Sequence, residues 1–156
     1  MSDLLRGGSD YVSGEASSKD VEFLHVPEGQ AVVFLIISAK AFGCETHWIG
    51  GLRKPCLRTG CRGCAGGMLK QFRYWIDVLD IETAERGLLE LGDRQKAWLL
   101  TARESGSLRS RAVRCSRTGM GKNFPINIES VENRYQLELP AERDIGEMLC
   151  RLWGIA

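Results

Sequence analysis

The sequence of 156 residues contains no apolar run long enough to cross a membrane, and its first twenty residues include no apolar segment typical of a secretory signal. These two absences lead us to expect a soluble, cytoplasmic protein without membrane contacts. The formal net charge is only +1, so the total charge indicates no class of partner. A chain of this length fits one domain of ordinary size with its own hydrophobic core.

Histidine is also scarce, with two in the chain, whereas the six cysteines are concentrated. Four of these cysteines and His47 lie in the 21 residues from Cys44 to Cys64. Thiolate and imidazole groups are the ligands that zinc takes in many proteins. In a reducing compartment, clustered cysteines indicate a metal site rather than disulfides. We therefore predict a zinc loop over residues 44–64.

Two ligand sets fit the spacing of this loop. The run Cys56-x4-Cys61-x2-Cys64 is completed by His47 in the set that we favour, and in the other set Cys44 replaces Cys56. Since four protein ligands would fill a tetrahedral site, the ion would be structural rather than catalytic. Free or disulfide-bonded cysteines are an alternative, and so is an iron–sulfur cluster, in which a histidine ligand would be unusual.

Positive charge is unevenly distributed along the chain. Residues 46–76 contain six basic side chains and residues 105–128 contain five, and neither window contains an acid. The folded protein would have a basic face if the two windows lie side by side, although ordinary solvated strands would show the same pattern. The basic residues are Arg53, Lys54, Arg58, Arg62, Lys70 and Arg73 in the first window and Arg109, Arg111, Arg114, Arg117 and Lys122 in the second.

Apolar and β-branched runs predict five strands, over residues 30–38, 70–81, 87–91, 108–117 and 124–131. The first run is continuously hydrophobic, which is typical of a strand buried on both faces. In the second run, alternation places Phe72 and Tyr74 on one face and Arg73 and Trp75 on the other.

Two helices are expected. Asp93 is a good N-cap for a helix over residues 94–104, with Ala97 and Leu100 turned inward and Trp98 and Leu99 as further inward candidates. Pro140 is expected to begin a C-terminal amphipathic helix over residues 140–156, which carries Ile145, Met148, Leu149 and Leu152 at helical spacing.

Five short strands with one helix between the third and the fourth are typical of a five-stranded Greek-key barrel, the OB fold. We therefore expect a mainly β domain with helices over residues 21–139, in which the zinc loop is an insertion. A flexible polar arm over residues 1–20 would precede it. An open α+β sheet is the alternative architecture.

Three stretches together carry a resemblance to a known family. They are the pattern His-x8-Cys-x4-Cys-x2-Cys, the strand K-Q-F-R-Y-W-I-D-V-L-D that follows it, and the later R-A-V-R-C-S-R-T-G-M-G-K-N-F-P-I-N-I-E. In these stretches the chain resembles the zinc-containing single-stranded-DNA-binding proteins of tailed bacteriophages and related bacterial elements. The resemblance implies an OB fold with a zinc subdomain near the binding cleft. It also implies a role in replication, recombination or repair, with proteins of those processes as partners, in a bacterial or phage-infected cell.

Single-strand binding requires a basic groove along the phosphates and exposed rings on which bases stack. We therefore expect single-stranded DNA, or RNA, as the partner. The candidates for stacking are Trp48, Phe72, Tyr74 and Trp75, and for each ring burial in the core is the alternative. The candidates for phosphate contact are Arg53, Lys54, Arg58, Arg62, Arg73, Arg109, Arg111, Arg114 and Lys122.

Enzymatic motifs fit poorly. The segment from Gly119 to Asn123 lacks the first glycine and the closing Ser or Thr of a phosphate loop, and the zinc loop lacks the H-x-E and P-C-x-x-C of zinc deaminases. We therefore expect neither catalysis nor a small-molecule substrate. The alternative function is a zinc-ribbon adaptor that binds protein. Its mark would be an exposed apolar stripe on the last helix, formed by Ile145, Met148, Leu152 and Trp153.

Overall fold

The structure, a computed structural model, describes residues 21–117 and 126–155. The arm expected over residues 1–20, the turn from 118 to 123 and Lys122 within it lie outside these ranges. The described chain is mainly β with three α-helices, which confirms the expected fold class. None of the helices in the described ranges is long and apolar enough to cross a membrane.

In the described ranges, seven strands form one sheet, two more than the sequence predicted. The strands are β1 (Ala31–Ile36), β2 (Phe42–Ile49), β3 (Leu52–Pro55), β4 (Gln71–Asp80), β5 (Arg86–Leu91), β6 (Ala112–Ser116) and β7 (Asn127–Val131). They are ordered β3-β2-β4-β1-β6-β7, and β5 also pairs with β4. The helices are α1 (Arg62–Ala65), α2 (Lys96–Glu104) and α3 (Ile145–Trp153).

The described chain divides into two compact units. The first, which we call the hairpin unit, contains residue 21 and residues 42–74 and 146–155. Its β2 and β3 form an antiparallel hairpin in which Ile49 lies opposite Leu52. The two residues between them, Gly50 and Gly51, have φ of +60° and +79°. Positive φ at both positions is the requirement of the tight hairpin turn that matches strand twist, and glycine meets it without strain.

The second unit, which we call the sheet unit, contains residues 22–41, 75–117 and 126–145. At its centre β1 pairs antiparallel with β4 and with β6, so that Phe34 lies opposite Asp80 on one side and Val113 on the other. Residues 34–37 are fully buried, as the continuous hydrophobicity of this stretch predicted. The core of this unit therefore lies around β1.

A buried ion cluster ties three segments of the sheet unit together. Asp77 on β4 is completely buried, and its carboxylate accepts hydrogen bonds from Arg86 and from Arg143, each with a shortest distance of 2.8 Å. The backbone N–H of Asp77 donates to Ser38 Oγ at 3.1 Å. Two bidentate guanidinium partners satisfy both carboxylate oxygens of this buried charge.

The helix predicted over residues 94–104 is present, but its N-terminal cap and its buried face differ from the prediction. A 3₁₀ turn over Asp93–Gln95 precedes α2, so Asp93 lies inside the turn and is not the N-cap. The Gln95 side chain accepts the Gly92 N–H instead, at 2.7 Å. This start turns Leu99 inward and leaves Ala97 and Leu100 exposed, so their predicted inward orientation was wrong.

The last helix begins at Ile145 and not at Pro140. Arg109 donates to the carbonyl of Pro140 at 2.9 Å, and Arg86 donates to the carbonyl of Ala141 at 2.7 Å. These carbonyls are the acceptors that a helix starting at Pro140 would need for its first bonds. Arginine side chains therefore hold this segment in an extended form.

Candidate metal centre

His47, Cys56, Cys61 and Cys64 come together in the hairpin unit. His47 is on β2, Cys56 follows β3, and Cys61 and Cys64 lie at the start of α1 and within it. Their four ligand atoms all lie within 4.8 Å of one another. This is the ligand set that the spacing favoured.

Two of the separations match those expected in a tetrahedral site. Cys56 Sγ lies 3.5 Å from Cys64 Sγ, and Cys64 Sγ lies 3.6 Å from His47 Nε2. With Zn–S of about 2.3 Å and Zn–N of about 2.0 Å, tetrahedral ligand atoms are about 3.5–3.8 Å apart. All six cysteines of the chain are free, so the sulfurs are close without being joined in disulfides.

The imidazole of His47 is oriented by a second contact. The side chain is completely buried, and Nδ1 lies 3.1 Å from the carbonyl oxygen of Leu69. A carbonyl oxygen only accepts hydrogen bonds, so this contact assigns the N–H to Nδ1 as the donor and leaves the lone pair on Nε2, which lies 3.6 Å from Cys64 Sγ. Metal-binding histidines are commonly fixed by such a contact.

Gly63 gives α1 room beside the ring. A Cβ at this position would lie 2.4 Å from two ring carbons of His47, closer than atoms approach without displacement. Any other residue would therefore push α1 away from His47. The close contact between Gly63 and the imidazole follows only from the fold.

The pKa values of two of the thiols are shifted in opposite directions, one by backbone N–H groups and the other by a neighbouring sulfur. The backbone N–H of Cys64, followed by those of Leu57 and Gly63, lowers the pKa of Cys61 to about 6 because these donors stabilise its thiolate. The Cys56 side chain is the main cause that raises the pKa of Cys64 to about 11. Thiolates this close repel one another. A proton shared between two sulfurs, or a cation bound between them, removes that repulsion.

Cys44, the alternative ligand, does not join the cluster. It is three residues from His47 on β2, and alternation along a strand places residues at odd separations on opposite faces. Burial, and then the neighbouring Cys150 and Glu45, raise the pKa of Cys44 to about 11, so this thiol stays protonated near neutral pH.

Trp48 and Arg53 form a pair on the hairpin that also carries His47. Trp48 follows His47 directly and is 58 % exposed. Arg53 lies opposite it on β3, with its guanidinium carbon 5.1 Å from the centre of the Trp48 ring. Arg53 also donates to the Gln71 side chain at 2.9 Å, and Arg73 donates to the same oxygen at 3.2 Å. Hydrogen bonds therefore hold the cation in place against the ring.

The aromatic residues of β4 have three different environments. Phe72 is 40 % exposed, and its ring centre lies 5.1 Å from that of Tyr74, which is partly buried. Both rings lie over Gly43, where a Cβ would come within 2.9 Å of each. Trp75 is 1 % exposed, so no face of its ring is available to a base. The prediction that Trp75 could stack on a base was therefore wrong, because this ring lies in the core.

The basic candidates also fall into two groups. Lys54, Arg58 and Arg62 in the hairpin unit are exposed, and Arg58 forms an ion pair with Glu45 at 3.5 Å. The described part of the second basic window, residues 105–117 and 126–128, belongs to the sheet unit. There Arg109 donates to the carbonyls of Ile37 and Pro140, and Arg111 donates to the carbonyl of Ser107. Arg114 is exposed and lies opposite Glu129 of β7.

The apolar stripe of the last helix is covered. Ile145 and Met148 are buried, and Leu152 and Trp153 are partly buried. The exposed stripe that would mark an adaptor helix is therefore not formed by these residues.

Comparisons with protein-family models, curated proteins and solved structures give no match for this chain. Functional inference consequently depends on the residues and their geometry.

Proposed function

We propose that this chain is a sequence-independent single-stranded-DNA-binding protein with a structural zinc ion, acting in replication, recombination or repair. The observation that carries the proposal is the exposed Trp48 ring with the Arg53 guanidinium 5.1 Å from its centre. An exposed ring beside a fixed cation offers a stacking surface and a phosphate partner within one nucleotide of each other.

Zinc is the metal that the donor set favours. Three thiolates and one imidazole are soft to intermediate ligands, and a closed tetrahedral set of this kind is typical of structural zinc. His47, Cys56, Cys61 and Cys64 would hold the ion, which would join the open end of the β2–β3 hairpin to α1. Since all four positions are protein ligands, the ion would shape the surface and take no part in catalysis.

Charge in the hairpin unit supports binding of a polyanion. Residues 42–74 contain six bases and one acid, Glu45, which is paired with Arg58. Lys54 and Arg62 are exposed on the same unit as Trp48, and Phe72 presents a second partly exposed ring. Because every base has a stackable face and phosphates are uniform, such a surface would depend little on sequence.

Trp48→Ala should weaken binding of oligo-dT about tenfold, because stacking contributes roughly 1–3 kcal/mol per base. Fluorescence anisotropy of a labelled oligonucleotide measures this change. Leu52→Ala is the matched control, since Leu52 is 61 % exposed on the same hairpin but has no ring. Equal affinities of the two variants would contradict the role of Trp48, and parallel titrations with oligo-U and with duplex DNA establish which nucleic acid is preferred.

The salt dependence of binding should report phosphate contacts. Neutralising about four phosphates on a single strand gives a log–log slope of about −3, and Lys54→Ala combined with Arg62→Ala should reduce its magnitude by about 1.4. Anisotropy titrations at several salt concentrations measure the slope. Arg134→Ala provides the control, because this exposed arginine forms an ion pair with Glu132 and lies outside both basic windows. A slope near zero for the unmodified protein would overturn the proposal.

A zinc-ribbon adaptor is the second candidate, on a different observation. Leu57, Met68 and Leu69 of the hairpin unit are exposed, Leu69 by 74 %, and single-strand binding does not require them. Such side chains would form a protein-binding surface if they lie together. If the chain binds neither single strands nor duplex in the titrations above, the adaptor becomes the better proposal.

A further inference from the structure

A cleft of about 380 Å³ opens in the sheet unit, between the start of α2 and β7. Its volume lies within the range of about 300–1,000 Å³ that is usual for small-ligand sites. The residues that line it are Arg94, Trp98, Ile126, Asn127 and Ile128. None of them belongs to the metal centre or to the stacking surface described above.

The two walls of the cleft are joined by side-chain hydrogen bonds. Trp98 Nε1 donates to Ser130 Oγ on β7 at 3.0 Å, which fixes the indole ring in one orientation. Gln95, which is buried, donates to the carbonyl of Ile126 at 2.6 Å and accepts from the N–H of Gly92 at 2.7 Å. The cleft is therefore preorganised, so little conformational freedom would be lost when a ligand enters.

The lining residues combine three kinds of recognition. Trp98 is partly exposed and offers an aromatic face, and Arg94, four residues earlier on the same side of the helical segment, is exposed and offers a guanidinium. Asn127 is exposed and carries an amide that both donates and accepts hydrogen bonds. No acid is among the five lining residues. A planar base joined to a phosphate matches this combination.

We propose that this cleft binds one nucleotide of the single strand, with the base against Trp98, its polar edge at Asn127 and the phosphate at Arg94. The inference rests on the proposed function and adds a second contact region, in the sheet unit. Among the described strands, β7 is last in the sheet order, and no other strand of the described residues pairs with its outer edge. Backbone groups at such an edge provide further hydrogen-bond partners for a base.

Two variants test the cleft by affinity. Arg94→Ala should weaken oligo-dT binding about fivefold and reduce the magnitude of the salt slope by about 0.7, as expected for one phosphate. Trp98→Leu should weaken binding about tenfold, and Trp98→Phe, which keeps a ring, should restore most of the affinity. Arg103→Ala is the matched control, because Arg103 is an exposed arginine in the last turn of α2 and does not line the cleft. Arg94→Ala and Arg103→Ala with equal effects would overturn the assignment.

Photocrosslinking of the unmodified protein makes the test independent of folding defects. Oligonucleotides with 5-iodouracil react with stacked aromatic rings, and after trypsin digestion Trp98 lies in the peptide of residues 97–103, whereas Trp48 lies in that of residues 41–53. An adduct on residues 97–103 supports the cleft. Adducts confined to residues 41–53 overturn the cleft and leave the proposed function standing. Absence of saturable single-strand binding in the accompanying titration overturns both.

Discussion

Cys61→Ser should abolish metal binding and lower the free energy of unfolding by several kcal/mol, the largest effect expected of any single substitution in the hairpin unit. The reason is that metal-binding free energy is also folding free energy when the site does not exist in the unfolded chain. Residues 56–70 contain only a four-residue helix, so the ion would be the main link between this stretch and the hairpin. Elemental analysis should find about one zinc per unmodified chain, and thermal unfolding measures the loss of stability.

The two candidate ligand sets are separated by the same measurements. Cys56→Ser should lose the ion, because its sulfur lies 3.5 Å from that of Cys64 within the cluster. Cys44→Ser is the matched control and should keep the ion, since Cys44 is on the opposite face of β2. If purified protein contains no metal and still unfolds at the same temperature as Cys61→Ser, the metal proposal is wrong.

Asp77→Ala should lower the free energy of unfolding by about 3–5 kcal/mol, because it removes the buried carboxylate that Arg86 and Arg143 share and leaves both guanidinium groups without that partner. Asp77 is completely buried, and Arg86 and Arg143 both reach its oxygens at 2.8 Å. The same change should also loosen the segment before α3, since Arg143 holds that segment against β4. Urea denaturation followed by circular dichroism measures the stability.

Glu132→Ala serves as the comparison for Asp77→Ala. It breaks the ion pair between Glu132 and Arg134, whose side chains are both mostly exposed and 3.8 Å apart. Exposed pairs contribute about 0–1 kcal/mol because water solvates and screens the separated charges. If the two variants lose similar amounts of unfolding free energy, the buried cluster stabilises the fold no more than an exposed ion pair does.

Strands with a strong local signal were predictable from the sequence. The hydrophobic run around Phe34 and the aromatic run of β4 were correctly predicted to be strands. Short, continuously hydrophobic runs rich in β-branched residues are typical of buried strands. The β2–β3 hairpin was not predicted, because the clustered cysteines led us to interpret the whole of residues 44–64 as a zinc loop. The Gly50-Gly51 dipeptide between two short extended runs was the signal that could have revealed it.

The candidate metal site was predictable from the sequence, and the favoured ligand set of His47, Cys56, Cys61 and Cys64 is the one that the fold brings together. Spacing left Cys44 open as the alternative to Cys56. Excluding Cys44 depends on strand alternation, and therefore on recognising β2 as a strand. The role of Asp77 was beyond sequence reasoning because its partners, Arg86 and Arg143, are 9 and 66 residues away.

The tight turn at Gly50 and Gly51 has a consequence for the rate at which a bound single-stranded nucleic acid would dissociate. The turn closes one end of the β2–β3 hairpin, and the proposed ion would fix the other end through His47 and Cys56. Trp48 and Arg53 lie between these two fixed points. A ring held in this way has little freedom to lose on binding, and differences in affinity between related complexes arise mostly in dissociation. Opening either end of the hairpin should therefore shorten the lifetime of the complex while leaving the association rate, which charge controls, almost unchanged.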